Sequence, residues 1–179
     1  SEQTLTQKAH AYYLDGDENN ALKYYNQAIS INEKSEKANF GIAKILAKKG
    51  EFQKAKDIFL QIASLSENNR QKAANYYSAA IMTEFIKPVR IKEVEDLTDK
   101  SILADPNYSF PYVEKAKILF AKAVGDKEAN HKAAIQKLVD QSFKSLEKAI
   151  SLNPNQSIAH IQLATELMSF DKNQAKLVL

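Results

Sequence analysis

The 179-residue chain has no cysteine and no tryptophan, and only four glycines and four prolines. Without cysteine there is no disulfide framework, no thiol nucleophile and no cysteine-ligated metal. That absence leaves the compartment open between cytoplasm and periplasm. Four glycines are too few to turn the many strands of a β-sandwich or a doubly wound α/β domain. Arginine is scarce as well: two arginines stand beside 23 lysines, and the formal net charge is +3. Guanidinium is the better group for bidentate phosphate and base recognition, so this composition argues against a nucleic-acid partner. No apolar run approaches the roughly 20 residues that cross a bilayer, and no membrane span is expected. The start, Ser1-Glu2-Gln3-Thr4, has neither an initiator methionine nor a signal-peptide pattern. It reads as a processed product or an excised segment. What is abundant is alanine (24), lysine, leucine and isoleucine, residues that lose little freedom in a helix. The expected class is all-α. The lysine, asparagine and isoleucine richness suggests an AT-rich bacterial genome.

An internal repeat organises the chain. Ala9, Tyr12, Gly16, Ala21, Tyr25 and Ala28 recur as Ala43, Leu46, Gly50, Ala55, Phe59 and Ile62, each pair 34 residues apart. Leu5, Ala9 and Tyr12 mark one apolar helical face. After the break at Asp15-Gly16-Asp17, a second face carries Ala21, Tyr25 and Ala28. Gly16 and Gly50 stand where a helix ends and left-handed backbone is needed. The alanines mark the close approach of paired helices, and Tyr25 and Phe59 fill the space beside them. One such hairpin cannot bury its stripe alone, so units must stack.

These residues resemble the tetratricopeptide repeat, a helix–turn–helix unit. Lys148-Ala149-Ile150-Ser151-Leu152-Asn153-Pro154-Asn155 and Ser101-Ile102-Leu103-Ala104-Asp105-Pro106-Asn107 resemble its repeat ending. The resemblance implies an α-solenoid, a right-handed superhelix of stacked repeats at 2–35, 36–69, 70–108 and 109–156, with a partial fifth at 157–179, forming one repeat domain. The third repeat carries about five extra residues and the fourth about fourteen, the latter placed near Gly125–His131. Pro88 is expected in the first turn of the third repeat's second helix. The phase of helix 70–86, with Tyr76 and Tyr77, stays open. Residues 157–170 are expected as one helix and 171–179 as the start of another, ending on the apolar Leu177-Val178-Leu179. Such an end suits self-association or continuation into a longer protein.

Catalytic signatures are missing. His10, His131 and His160 fall on different repeats with no metal-ligand spacing. Asp15-Gly16-Asp17-Glu18 has its glycine in the wrong place for a calcium loop. There is no phosphate loop, nucleophile elbow or zinc-protease motif. The expectation is no enzyme activity, no cofactor and no metal. Asn107-Tyr108-Ser109 and Asn155-Gln156-Ser157 are formal glycosylation sequons that read as turn residues.

What remains is binding. The resemblance implies a concave groove lined by the first helices of the repeats. Its expected residues are His10, Tyr13, Lys37, Phe40, Lys44 and Lys48, then Phe110, Val113, Lys117, Phe120 and Ile161. Ammonium groups among aromatics suit a peptide or helix of a partner protein that is acidic and amphipathic. Some members of the family clamp the C-terminal carboxylate of chaperones. The matching places here carry Thr6, His10 and Gly41, with Arg70 nearby, so that clamp is absent. Two other readings are an accessory repeat segment of a larger bacterial enzyme or membrane protein, such as a glycosyltransferase or polysaccharide-assembly protein, and a lysine-driven RNA-binding array.

Overall fold

A computed structural model describes the backbone of residues 1–125 and 132–178, and the side chains of 1–125 and 132–169. The described residues form nine helices: α1 (Glu2–Leu14), α2 (Glu18–Ile31), α3 (Glu36–Lys48), α4 (Phe52–Leu65), α5 (Asn69–Phe85), α6 (Ile91–Ala104), α7 (Phe110–Gly125), α8 (Lys132–Leu152) and α9 (Ser157–Val178). They fall into two compact units, Ser1–Asp105 and Pro106–Leu179.

In the first unit, the turn from α1 to α2 shows how local sequence makes a hairpin. Gly16 takes φ +81°, and its N–H donates to Tyr13 O while the Asp17 N–H donates to Tyr12 O. This paired bonding satisfies the last carbonyls of α1. Asp17 then caps α2, its carboxylate accepting from the Asn20 backbone N–H at 3.0 Å. The turn from α3 to α4 repeats the arrangement: Gly50 has φ +78°, its N–H donates to Ala47 O, and the Glu51 N–H donates to Leu46 O. A Cβ added at either glycine would meet nothing within 4 Å. Gly16→Ala and Gly50→Ala should therefore each cost only the left-handed backbone penalty, about 1 kcal/mol. A thermal melt followed by circular dichroism would measure it.

Between the hairpins, small residues set the helix spacing. Ala9, Ala21, Ala28, Ala38, Ala43 and Ala55 are all fully buried, with Tyr25, Ile42, Ile45 and Phe59 filling the gaps. Polar ties add direction. Ser101 Oγ donates to Ala73 O at 2.7 Å, joining α6 to α5, and the buried Lys56 of α4 pairs with Glu93 of α6 at 2.8 Å.

The third hairpin departs from the sequence expectation at Pro88. This proline lies in the loop between α5 and α6, after a cis Lys87–Pro88 peptide, and α6 starts only at Ile91 with Arg90 as its N-cap. The extra residues of this repeat are spent in α5, 17 residues long against 13 in α1 and α3, and in that loop. Tyr76 and Tyr77 are both half-buried.

In the second unit, α7, α8 and α9 pack around Val113, Ala116, Leu146, Ala149 and Ala159. Helix α8 has 21 residues against 14 in α2, α4 and α6, which absorbs part of the fourth repeat's excess. The expected insertion beyond Gly125, at 126–131, lies outside the described residues. The expected break after residue 170 does not occur: α9 runs unbroken from Ser157 to Val178. Asp171-Lys172-Asn173 contains neither glycine nor proline to stop it. The side chains of Leu177, Val178 and Leu179 lie outside the described residues.

Candidate functional site

Residues from α1, α3 and α5, the first helices of the three hairpins of the first unit, enclose a cavity of about 500 Å³. That volume is in the range of ligand sites. His10 and Tyr13 come from α1, Lys37, Phe40 and Lys44 from α3, and Gln71, Ala74 and Asn75 from α5. Tyr25 of α2 and Ile62 of α4, both buried, also border the cavity.

The spacing of α3 dictates its part of the lining. Lys37, Phe40, Gly41 and Lys44 sit at helical i, i+3, i+4 and i+7 intervals and so share one face. Ala38, Ile42 and Ile45 point to the core instead. The Lys44 Nζ stands 4.7 Å from the Tyr13 ring centroid and 5.9 Å from that of Phe40. Tyr13 stacks on His10 at 6.4 Å. Phe40 makes an edge contact with Phe59 at 5.7 Å and is still 38% exposed. The result is a cation held against aromatic faces, a favourable arrangement that strengthens as water is excluded.

Gly41 explains how the buried end of the cavity is built. A Cβ placed there would stand 2.2 Å from Tyr25 Cζ and within 2.6 Å of both Cε atoms. Only glycine lets the Cζ end of the Tyr25 ring come this close to α3.

Electrostatics also tie the cavity's edges together. Glu2, at the start of α1, accepts hydrogen bonds from Ser35 Oγ at 2.5 Å and Thr6 Oγ1 at 2.9 Å. The Ser35 bond first, then the Thr6 bond, hold its carboxyl below the ordinary range, with Lys37 adding attraction and burial opposing it. Glu36 accepts from Ser66 Oγ at 3.2 Å. The cavity lining thus carries two ammonium groups, Lys37 and Lys44, against the one carboxylate of Glu36.

The structure gathers His10, Tyr13, Lys37, Phe40 and Lys44 at this one cavity. Lys48 does not line it: its Nζ pairs with Glu18 at 2.6 Å, and that carboxylate holds the ammonium above its ordinary pKa. Val113, expected in the groove, is instead a core residue of the second unit at 3% exposure. Helix α9 packs against α7, and Ala159 joins the cluster around Val113. In the same unit Lys117 pairs with Glu114 at 2.8 Å and Phe120 is half-buried. Phe110 is exposed and contacts the Tyr108 ring at 5.4 Å, while Ile161 is 65% exposed.

Sequence reasoning missed Asn75. This residue is 4% exposed and lines the cavity, and its Nδ2 donates to Gln71 O at 2.8 Å. Its Oδ1 has no hydrogen-bond partner. Its sequence neighbours, Ala74 on one side and Tyr76, Tyr77 and Ser78 on the other, carry no signal that would have singled it out.

Among the described residues there is no group of three or more His, Asp or Glu that could hold a metal ion. No described helix is long and apolar enough to cross a membrane.

The architecture defines an all-α protein of stacked helix–turn–helix units. The sequence pattern of the family described as Tetratricopeptide repeat matches residues 2–35 and 36–69, so the chain carries tetratricopeptide repeats over residues 2–69. A search among curated proteins finds no sequence match. Solved structures share the fold, an α-solenoid of tetratricopeptide type. MamA superposes with a TM-score of 0.66 at 14% identity, covering 92% of this chain and 80% of MamA. MamA from Desulfovibrio magneticus gives 0.63 at 13%, with 87% and 77% covered. A tetratricopeptide protein of Thermus thermophilus gives 0.55 at 13%, with 94% and 100% covered.

Proposed function

We infer that the chain is a protein–protein interaction module whose first unit holds a short partner segment in the cavity between α1, α3 and α5. The segment carries a carboxylate beside an apolar side chain. One observation carries this reading: Lys44 stands over Tyr13 beside the exposed Phe40, with no carboxylate paired to it among the described residues. An exposed aromatic next to an unmatched cation is a surface that a partner improves by covering. The apolar side chain supplies affinity and the carboxylate supplies selectivity.

The test is a library of random 12-residue peptides rich in Asp, Glu, Leu and Phe, screened on the full chain by fluorescence polarisation. Binders should lose about tenfold or more in affinity on a Lys37→Glu/Lys44→Glu chain, and the salt dependence of binding should flatten. Lys48→Glu, removing an ammonium already engaged by Glu18, should change binding less than about twofold. Equal losses in both variants would place the binding surface elsewhere.

A further inference from the structure

The Tyr25 ring carries more than packing. Building on the reading above, we propose that the Tyr25 hydroxyl is a recognition group on the floor of the cavity, donating to the same side-chain carboxylate of the partner segment that the Lys44 ammonium attracts. Tyr25 is 3% exposed and borders the cavity, yet no hydrogen bond reaches its hydroxyl among the described residues. Unlike Asn75 Oδ1, that hydroxyl is not sealed within the protein, and its opening is the cavity. The repeat itself supplies the comparison. Phe59, 34 residues on, fills the matching place at 4% exposure, so a phenyl ring satisfies the packing there. The extra oxygen of Tyr25 is a polar group taken out of bulk water with no partner, which is costly to keep. A ligand acceptor would complete it.

Gly41 brings that hydroxyl to the ligand. Glycine is unfavourable inside a helix, and its missing side chain opens α3 to the Cζ end of the ring, the end that bears the oxygen. Lys44 follows three residues later on the same face of α3. Helical side chains lean toward the N-terminus, so the stem of Lys44 runs back toward Gly41. Phenol and ammonium therefore border one place in the cavity, beside Tyr13 and Phe40. Burial first, and then the Tyr13 phenol, hold Tyr25 above its ordinary pKa of 10, so it keeps its proton wherever a carboxylate is charged. An ionised carboxyl only accepts, and its two oxygens serve one donor each. A hydrogen bond to a charged group is also stronger than one between neutral groups. The partner's acidic side chain thus belongs over Gly41, between Tyr25 and Lys44, with its apolar neighbour on Phe40.

The experiment uses a 12-residue peptide selected from the random library on the full chain, acetylated and amidated at its ends so that only side-chain carboxylates remain. Its acidic residues are replaced one at a time by alanine. Each peptide is titrated on the parent chain and on Tyr25→Phe, which removes one oxygen and leaves the ring. Tyr25→Phe should weaken the selected peptide about tenfold, the size of a hydrogen bond to a charged group. It should weaken the peptide lacking the recognised carboxylate by less than about twofold, since the two groups are coupled. A loss of equal size for every peptide would mean that the hydroxyl acts through the fold, and it overturns the proposal, as does no loss for any. A second measurement needs no variant. At saturation the 13Cζ resonance of Tyr25 in the parent chain should move with the selected peptide and stay in place with the peptide lacking that carboxylate; a resonance that never moves overturns the proposal. If Tyr25→Phe binds like the parent while Lys37→Glu/Lys44→Glu does not, the cavity remains the site and only the role of the hydroxyl falls. If no selected peptide responds to either change, both readings fall.

Discussion

Replacing Gly41 by alanine is expected to destabilise the first unit by about 2 kcal/mol, although alanine is the better helix former. In an open helix the exchange would gain roughly 1 kcal/mol. Here the new methyl would sit 2.2 Å from Tyr25 Cζ, well inside van der Waals contact, and Tyr25 is itself only 3% exposed. Overpacking of an enclosed ring costs about 3 kcal/mol at the upper end of the usual range, which outweighs the propensity gain. A fall in Tm of roughly 4–8 °C should follow. The cause can be isolated with Tyr25→Leu, which removes the ring the methyl would strike. The double variant should be more stable than the sum of the two single losses predicts, a coupling that only direct contact produces. Additive losses would mean that Gly41 is needed for some reason other than the Tyr25 ring. Because Tyr25 borders the cavity, Gly41→Ala should also weaken peptide binding.

The second large effect is expected in the other unit, at Glu166. This carboxyl is fully buried, accepts from Gln162 Nε2 at 2.9 Å, and meets Ser142 Oγ at 2.5 Å. The same Ser142 hydroxyl lies 3.0 Å from Ala116 O. A hydroxyl has one proton. Ser142 therefore shares that proton between the Glu166 carboxyl and Ala116 O, both of which lie in reach as acceptors. Burial raises the pKa of Glu166 above its ordinary 4.5, and the bonds from Gln162 and Ser142 pull only partly against it. Glu166 thus binds its proton more tightly in the folded state than in the unfolded one. Its contribution to stability is complete below pH 4.5 and is lost as the pH rises through the raised value. Glu166→Ala should cost about 3 kcal/mol, from the void and the stranded Ser142 and Gln162. Glu166→Gln keeps an acceptor for the Ser142 hydroxyl and should remove this part of the pH dependence.

Glu2 in the first unit behaves in the opposite sense. Its pKa is depressed by the Ser35 and Thr6 hydroxyls, so the stability it contributes is present above 4.5 and is lost as the pH falls through the lower value. Amide hydrogen exchange followed from about pH 3 to 8, read residue by residue, separates the two trends. Protection around α9 that does not fall as the pH rises in the parent chain would contradict the Glu166 assignment.

What the sequence revealed, and what it concealed, follows from the range of the interactions involved. Gly16, Gly50 and the buried alanines were legible because their roles depend on hairpins that repeat at one spacing. The cavity lining on α3 was legible too, since Lys37, Phe40 and Lys44 share a helical face whatever surrounds them. Val113 has the same face logic but is buried in a cluster with Leu146 and Ala149 of α8 and Ala159 of α9, elements distant in sequence. Pro88 was misplaced because five extra residues shift where α6 can begin. The need for glycine at Gly41 is set by the Tyr25 ring of another helix, which the local sequence does not show. Asn75 sits in the helix whose phase the sequence left open, so nothing local separated a buried amide from a solvated one.

The most direct test of the interaction site is a backbone 15N–1H chemical-shift map of the full chain, recorded while a selected acidic–apolar 12-residue peptide is added. The largest shifts are expected at Tyr13, Phe40, Gly41, Lys44 and Asn75, on α1, α3 and α5 of the first unit. Shifts concentrated on α2, α4 and α6 away from the cavity, or on the second unit, would contradict it.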